Sequence, residues 1–571
     1  MILAILLSVL VLYVYQVMYV DPQIEAEKQT LFESQPLEES ASSIPTPSGD
    51  IPTPQDTGNQ IAEGVIDQTP SPRINIETPR LKGSIALRGG RIDDLILIDY
   101  YDELGDNAQN IVLLKPSQKK DGYYAEFGWA AAPSSGVKTP NEQSLWTADH
   151  NVLSPNNPVT LQWANSEGLL FIRRIEIDEN FLMLITEEVE NTTSGAISLA
   201  PYGLLSRKTT PEISGFVILH EGPLGVFQEG LEEVSYSDLR DDGMFEYNST
   251  GGWLGITDKY WMTALVPDQT DPFTSRFLTR KRNGEDSYQI DYLAETKMIP
   301  ANGSVSINVK LFAGAKEVKL IDAYEEEFGI SLFDRTIDWG WLYFLTKPMF
   351  YTLNFFFGLL GNFGLAILAL TVVVKALFYP LANKSYVSMS KMKLLQPKMQ
   401  ALKEKYGDDK VKMQQETMAM YKKEKVNPAA GCLPILVQLP VFFALYKTLF
   451  VSIEMRHQPF FGWVNDLSAP DSLTFITGFG AFPWDAPSFL LIGVWPILMG
   501  VTMFLQQKLN PQSPDPIQAK IFMFMPILFT FILASFPVGL VIYWTWNNLL
   551  SILQQWMIMR KVSATASNDN K

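Results

Sequence analysis

Two regions of nearly continuous apolar sequence bracket a long polar middle, and this arrangement constrains the fold more than any other feature. A helix needs roughly 20 mostly apolar residues to cross a bilayer core. Met1 to Val20 meets that requirement without a charge. It lacks the basic flank and small-residue cleavage site of a secretory signal, so it reads as a retained anchor. Further apolar stretches run over Tyr351 to Leu381, Ala429 to Ile453, Ser488 to Gln507 and Ile521 to Met559. The last is too long for one span. Ser535-Phe536-Pro537-Val538-Gly539 sits at its middle, so it reads as two spans joined by a tight turn. The expected fold is a polytopic α-helical membrane protein of six spans carrying a large extramembrane domain.

Charge orients these spans. The chain carries 45 Lys+Arg against 62 Asp+Glu, net −17, which argues against DNA or any dedicated nucleic-acid partner. Residues 1–347 hold 26 basic and 51 acidic residues, and residues 348–571 hold 19 and 11, so an acidic half joins a basic, apolar one. Lysine and arginine bias in short loops marks the cytoplasmic side. Residues 382–425 contain eleven lysines against five acids, whereas residues 454–487 contain one arginine against four. The lysine-rich loop, the tail and both termini are therefore expected in the cytoplasm. Residues 21 to about 347 fall outside, in the periplasm of a bacterium with an inner and an outer membrane.

The expected segments are an anchor at 1–20, a disordered linker at 21–75, and an all-β sandwich at 76–318. An amphipathic interfacial helix follows at 319–349, then span two at 350–381 and a cytoplasmic helical hairpin at 382–426. Span three covers 427–453, a periplasmic loop 454–487, span four 488–507 and a cytoplasmic loop 508–518. Spans five and six cover 519–536 and 537–559, and the tail 560–571. The linker is rich in Pro, Ser, Thr, Gln and Glu with few aromatics. The β reading rests on short alternating runs punctuated by Gly89-Gly90, Asp178-Glu179-Asn180 and Gly251-Gly252. Trp129, Trp146, Trp163 and Trp253 read either as core or as platforms for a sugar. Trp339, Trp341, Tyr343 and Phe344 read as a belt at the headgroup level.

Composition excludes much chemistry. One cysteine, Cys432, and three histidines leave no disulfide framework and no Cys-based zinc site, and little for histidine catalysis. There is no GxxxxGK[ST] or HExxH motif. No cofactor, metal or enzymatic activity is expected. The informative residues are polar ones inside the spans. Lys375 is the only charge in the second, roughly 13 Å inside its cytoplasmic edge if helical. A charge there costs several kcal/mol unless paired or hydrated, and no Asp or Glu occurs in any span. Lys375 therefore either snorkels to the headgroups or faces a water-filled cavity open to the cytoplasm. Thr371 one turn earlier, Gln438, Gln506, Gln507, Asn547 and Asn548 are candidates to share such a groove, or else to hydrogen-bond between helices. In the lysine-rich loop, Ser385 to Tyr406 and Lys410 to Lys425 read as two helical arms. Its methionines, Met389, Met392, Met399, Met413, Met418 and Met420, suit either contact with varied apolar segments or packing between the arms.

Val426-Asn427-Pro428-Ala429-Ala430-Gly431-Cys432-Leu433-Pro434-Ile435-Leu436-Val437-Gln438-Leu439-Pro440-Val441-Phe442 resembles the third-span signature of the YidC/Oxa/Alb family of membrane-protein insertases. Phe536-Pro537-Val538-Gly539-Leu540-Val541-Ile542-Tyr543-Trp544 resembles that family's last hairpin, and Tyr379-Pro380-Leu381, Leu395-Gln396-Pro397-Lys398 and Gly407-Asp408-Asp409-Lys410 its cytoplasmic hairpin. The resemblance covers nearly the whole chain, more loosely in the β domain. It implies a five-helix core enclosing a hydrophilic groove with one positive charge, at Lys375, where many members carry arginine. Thr371 and Trp544 fall where the family faces the entering segment. It further implies nascent membrane proteins as clients, with the Sec translocon, membrane lipids, and the ribosome and signal recognition particle pathway as partners, these last through the hairpin and tail. Two other classes remain: a secondary transporter of a small anionic solute, and a membrane-anchored carbohydrate-binding protein or enzyme.

Overall fold

A computed structural model describes residues 71–568, except 214–218, 229, 283, 407–408, 425, 427–432, 477–490 and 511–515. The anchor expected at 1–20, most of the linker, the hairpin turn at Gly407-Asp408 and the Asn427–Cys432 part of the third-span motif lie outside these residues.

Alternating apolar positions build the first half. An eleven-stranded and a nine-stranded sheet, almost entirely antiparallel, bury their inner faces in one apolar cluster. The β sandwich starts at Arg73, three residues before the expected boundary, and its last strand ends at Ala315. The turn residues act as their types require. Gly89 and Gly90 adopt φ of +76° and +63°, a region open to glycine at no steric cost. Asp178 Oδ1 accepts from the N–H groups of Asn180 and Leu182, at 2.9 and 3.0 Å, closing the expected turn. That turn joins β1 (Leu169–Ile177) to β2 (Leu182–Asn191). The period-2 pattern of β2 points Met183, Ile185, Glu187 and Val189 inward, and Glu187 lies opposite Arg173 of β1. The two form a buried ion pair, and Arg173 also donates to Gly90 O at 2.7 Å and stacks 4.9 Å over Trp146. Trp129, Trp146 and Trp253 are fully buried and Trp163 is half-buried against Phe171, so these rings are core and offer no open sugar platform.

Strands β3 (Trp253–Thr257), β4 (Trp261–Val266) and β5 (Gly303–Ala315) bring the sandwich to the helical half, which begins with α1 (Val318–Phe328). There follow α2 (Tyr343–Leu360), α3 (Phe363–Leu377), α4 (Tyr379–Leu394), α5 (Gln396–Tyr406), α6 (Lys410–Lys423), α7 (Leu433–Val451), α8 (Val494–Leu509), α9 (Pro516–Leu533) and α10 (Val538–Asn568). The stretch expected as an interfacial helix and one span divides differently. Gly361, at φ +67°, ends α2, and the Asn362 side chain caps α3 by accepting from Leu365 N–H at 3.0 Å. Trp341 and Phe344, at the start of α2, stand exposed at 84% and 68%. Among the described residues no single helix is long and apolar enough to cross a membrane. The pair α3 and α4 passes together, bent by 68° where Pro380 interrupts the hydrogen-bond ladder.

The two halves are pinned to each other. Glu454 Oε1 accepts from Val318 N–H at 2.9 Å, at the start of α1. Lys447 of α7 pairs with Asp338 at 2.6 Å, and Asp338 also accepts from His220 N–H at 2.9 Å. The Lys259 ammonium, in the β3–β4 turn, stands 3.7 Å over the Phe450 ring in the last turn of α7.

Beside this junction, Lys316 is fully buried, donates to Thr257 Oγ1 at 2.9 Å, and is pushed down to about 8 by desolvation. Between pH 8 and 10.5 the unfolded chain then holds more protons at this site than the folded one. Stability from this group therefore rises with pH across that window, by at most about 1.4 kcal/mol per unit. Thermal melting of wild type against Lys316→Met from pH 7.5 upward should show that rise in the first and a flatter profile in the second.

Candidate functional site

The polar residues of the apolar helices meet in a recess between α3, α4, α7 and α10. Thr371 and Lys375 of α3 stand one turn apart on the same face, and Tyr386 of α4, Gln438 of α7 and Tyr543, Asn547 and Gln554 of α10 add polar groups to the lining. Phe378, at the bend into α4, and Val441 of α7 contribute apolar walls. Of the residues expected to share a groove, Lys375, Thr371, Gln438 and Asn547 are thus neighbours, and Gln506, Gln507, Asn548 and Trp544 do not line the recess.

Lys375 Nζ donates to Ser551 Oγ at 2.7 Å, and Ser551 Oγ donates in turn to Asn547 O at 2.8 Å. No carboxylate pairs with Lys375 among the described residues. Thr371 Oγ1 donates to Ile367 O at 2.7 Å, so its hydroxyl is satisfied within α3 and its methyl and backbone shape the wall. Gln554 Nε2, on α10 and belonging to a residue of the lining, has no hydrogen-bond partner among the described residues, and the Tyr543 hydroxyl lies against the Gln438 side chain. Buried polar atoms of this kind are satisfied by water or by a ligand's polar groups. The recess therefore combines apolar walls with polar groups able to hold water.

Trp544 and Gln506 are not among the lining residues. Successive residues on a helix point about 100° apart, so the face that gives Tyr543 and Asn547 to the recess turns Trp544 away. Trp544 packs instead on Phe442 and Phe529, at centroid distances of 4.6 and 5.5 Å, in the apolar cluster of α8, α9 and α10. Gln506 lies on α8, which meets α10 on its other side, where Asn548 Nδ2 donates to Thr502 Oγ1 at 3.2 Å. Sequence reading missed Ser551, Tyr386, Tyr543 and Gln554. A signal existed for Ser551 and Gln554: with Asn547 they fall at i, i+4 and i+7, one stripe of an otherwise apolar helix.

In the lysine-rich arms, α5 and α6 pack together through Tyr421 Oη donating to Met399 Sδ at 2.8 Å and the Lys398–Glu424 pair at 2.7 Å. Met389 is buried with Tyr386 against Ile558 of α10, whereas Met418 stays 47% exposed. The described residues contain no group of three or more His, Cys, Asp or Glu arranged to hold a metal ion.

Because the Thr371 hydroxyl is locally satisfied while Trp544 is packed between helices, the two should respond differently to truncation. Thr371→Val should change stability by less than about 1 kcal/mol, and Trp544→Ala should cost about 3 kcal/mol. Thermal unfolding of the purified variants in detergent checks this.

The chain matches two family models: the 60Kd inner membrane protein over residues 355–565 and the YidC periplasmic domain over residues 73–352. It is 48% identical to the membrane protein insertase YidC of Methylobacterium radiotolerans, across 98% of this chain and 94% of that one. It is 47% identical to the membrane protein insertase YidC of Bradyrhizobium diazoefficiens, across 98% and 96%. Among solved structures, a crystal structure of an active YidC insertase with its first transmembrane domain resolved aligns over 85% of this chain and 93% of its own, at 19% identity and a TM-score of 0.35.

Proposed function

The chain belongs to the YidC family of membrane protein insertases, and from that premise we propose that it inserts nascent integral membrane proteins into the inner membrane through the recess around Lys375. The carrying observation is a cation held by a hydroxyl, without a carboxylate partner, among Thr371, Gln438 and Asn547. A short polar tail of a client enters the recess, where the uncompensated charge favours acidic tails and the free donors and acceptors replace part of the tail's water. The client's apolar stretch then partitions into lipid. Transfer of roughly 20 apolar residues, plus the membrane potential acting on acidic groups, supplies the driving force, so no nucleotide or covalent step is required.

In this reading the chain crosses the inner membrane six times, with both termini and the α5–α6 hairpin in the cytoplasm and the β sandwich in the periplasm. The basic hairpin and tail meet the ribosome, the signal recognition particle pathway and anionic lipid headgroups, and the chain works alone or with the Sec translocon. The lysine excess of residues 382–425 supports the orientation. A secondary transporter would also use an intramembrane lysine, but the sequence holds no repeated pair of Gly/Pro-broken spans of the kind inverted repeats produce.

Site-specific photocross-linking to a stalled ribosome–nascent chain in native membranes tests this. A probe at Thr371 should yield a nascent-chain adduct that Lys375→Ala weakens, and a probe at Leu359, which is 71% exposed on α2, should yield little. Failure to obtain a Thr371 adduct with several clients, with the protein folded and abundant, would overturn the groove reading.

A further inference from the structure

The hydrogen bonds around Lys375 form a directed chain. Ser551 donates its single O–H to the carbonyl of Asn547, one turn earlier on α10, which leaves its oxygen as an acceptor, and the Tyr386 hydroxyl of α4 also lies against it. That acceptor points at Lys375 Nζ, 2.7 Å away on α3. Ser551 is itself only 1% exposed, so no water competes for its oxygen from the surface. An ammonium carries three N–H donors. One is taken by Ser551, and no other acceptor for Lys375 occurs among the described residues, so two remain available on the side of the recess.

We propose that Ser551 is a positioning residue that tethers the Lys375 ammonium to α10 and holds it in the recess, with two donors free for an acidic client segment. This rests on the reading of the recess as the client groove. A lysine side chain has four rotatable carbons, and without a tether its head swings along Ala376 to Pro380 toward the headgroups, where it is hydrated and far from a client's tail. The Ser551 oxygen removes that alternative at the position where a carboxylate partner would have neutralised the charge. A hydroxyl holds the cation without cancelling it. A carboxylate would hold it more tightly and silence it.

The test uses the full chain reconstituted in phosphatidylethanolamine–phosphatidylglycerol liposomes and two single-span clients. The clients are identical except for two aspartates or two asparagines in the translocated tail, and insertion is read as the protease-protected fraction. Ser551→Ala should lower insertion of the aspartate client three- to tenfold and leave the asparagine client within twofold. Ser551→Thr, which keeps the oxygen, should restore the aspartate client. Adding Ser551→Ala to Lys375→Ala should make it no worse than Lys375→Ala alone. An equal loss on both clients would make Ser551 a packing residue and overturn the proposal, as would no loss on either. If Lys375→Ala leaves the aspartate client untouched, the groove reading itself fails, an outcome distinct from a Ser551 failure beside an intact Lys375 effect.

Discussion

A lysine in an apolar helix with no carboxylate to pair with is the constraint around which the helical half of this protein is arranged. Desolvating an ammonium costs several kcal/mol, and the usual remedy is a counter-charge. No Asp or Glu lies in the apolar stretches, so the remedy must come from neutral groups and water. Ser551, Asn547, Gln438 and Thr371 meet Lys375 from three helices, and the bend between α3 and α4 opens room beside it. Each of these residues is individually compatible with an ordinary helix contact. Together they make a polar recess in apolar surroundings.

The β sandwich handles the same problem in the opposite way. Arg173 and Glu187 are buried as a pair, and the guanidinium also donates to the Gly90 and Phe127 carbonyls. Such a pair contributes little net stability but is costly to break on one side. At the junction, Lys447–Asp338, Glu454 at the start of α1 and Lys259 over Phe450 tie the sandwich to the end of α7. That helix also carries Gln438 and Val441, so the sandwich and the recess share a structural element. Paired charges tie the sandwich to the helical half, whereas Lys375 at the recess is held by a hydroxyl.

Much of the fold was legible from periodicity. The alternation in Phe181 to Val189, the turn residues Asp178 and Gly89-Gly90, and the shift to helical spacing near residue 319 each correspond to an element within a few residues. The division at Gly361-Asn362 was less legible, because both sides are apolar and hydropathy alone runs through a break made by a left-handed glycine and an asparagine cap. For the site, Lys375 stood out because a charge in an apolar run must either snorkel to the headgroups or face water. Ser551 did not, because a serine in a helix usually serves its own backbone. Trp544 shares a motif with Tyr543, but one residue of helical rotation sends the two side chains to different neighbours.

The sequence by itself determined which residues are apolar, which segment is acidic and which basic, and that a cation must be accommodated without a carboxylate. Those are properties of composition and local order, and they limit the chain to apolar helices joined to a β sandwich. Only the tertiary structure decided which polar residues meet. Residues 371, 438, 547 and 551 are far apart along the chain, and their convergence depends on the rotation of each helix about its own axis. That rotation is set by packing among many neighbours, such as Asn548 against Thr502 and Trp544 against Phe442, and no local pattern encodes it.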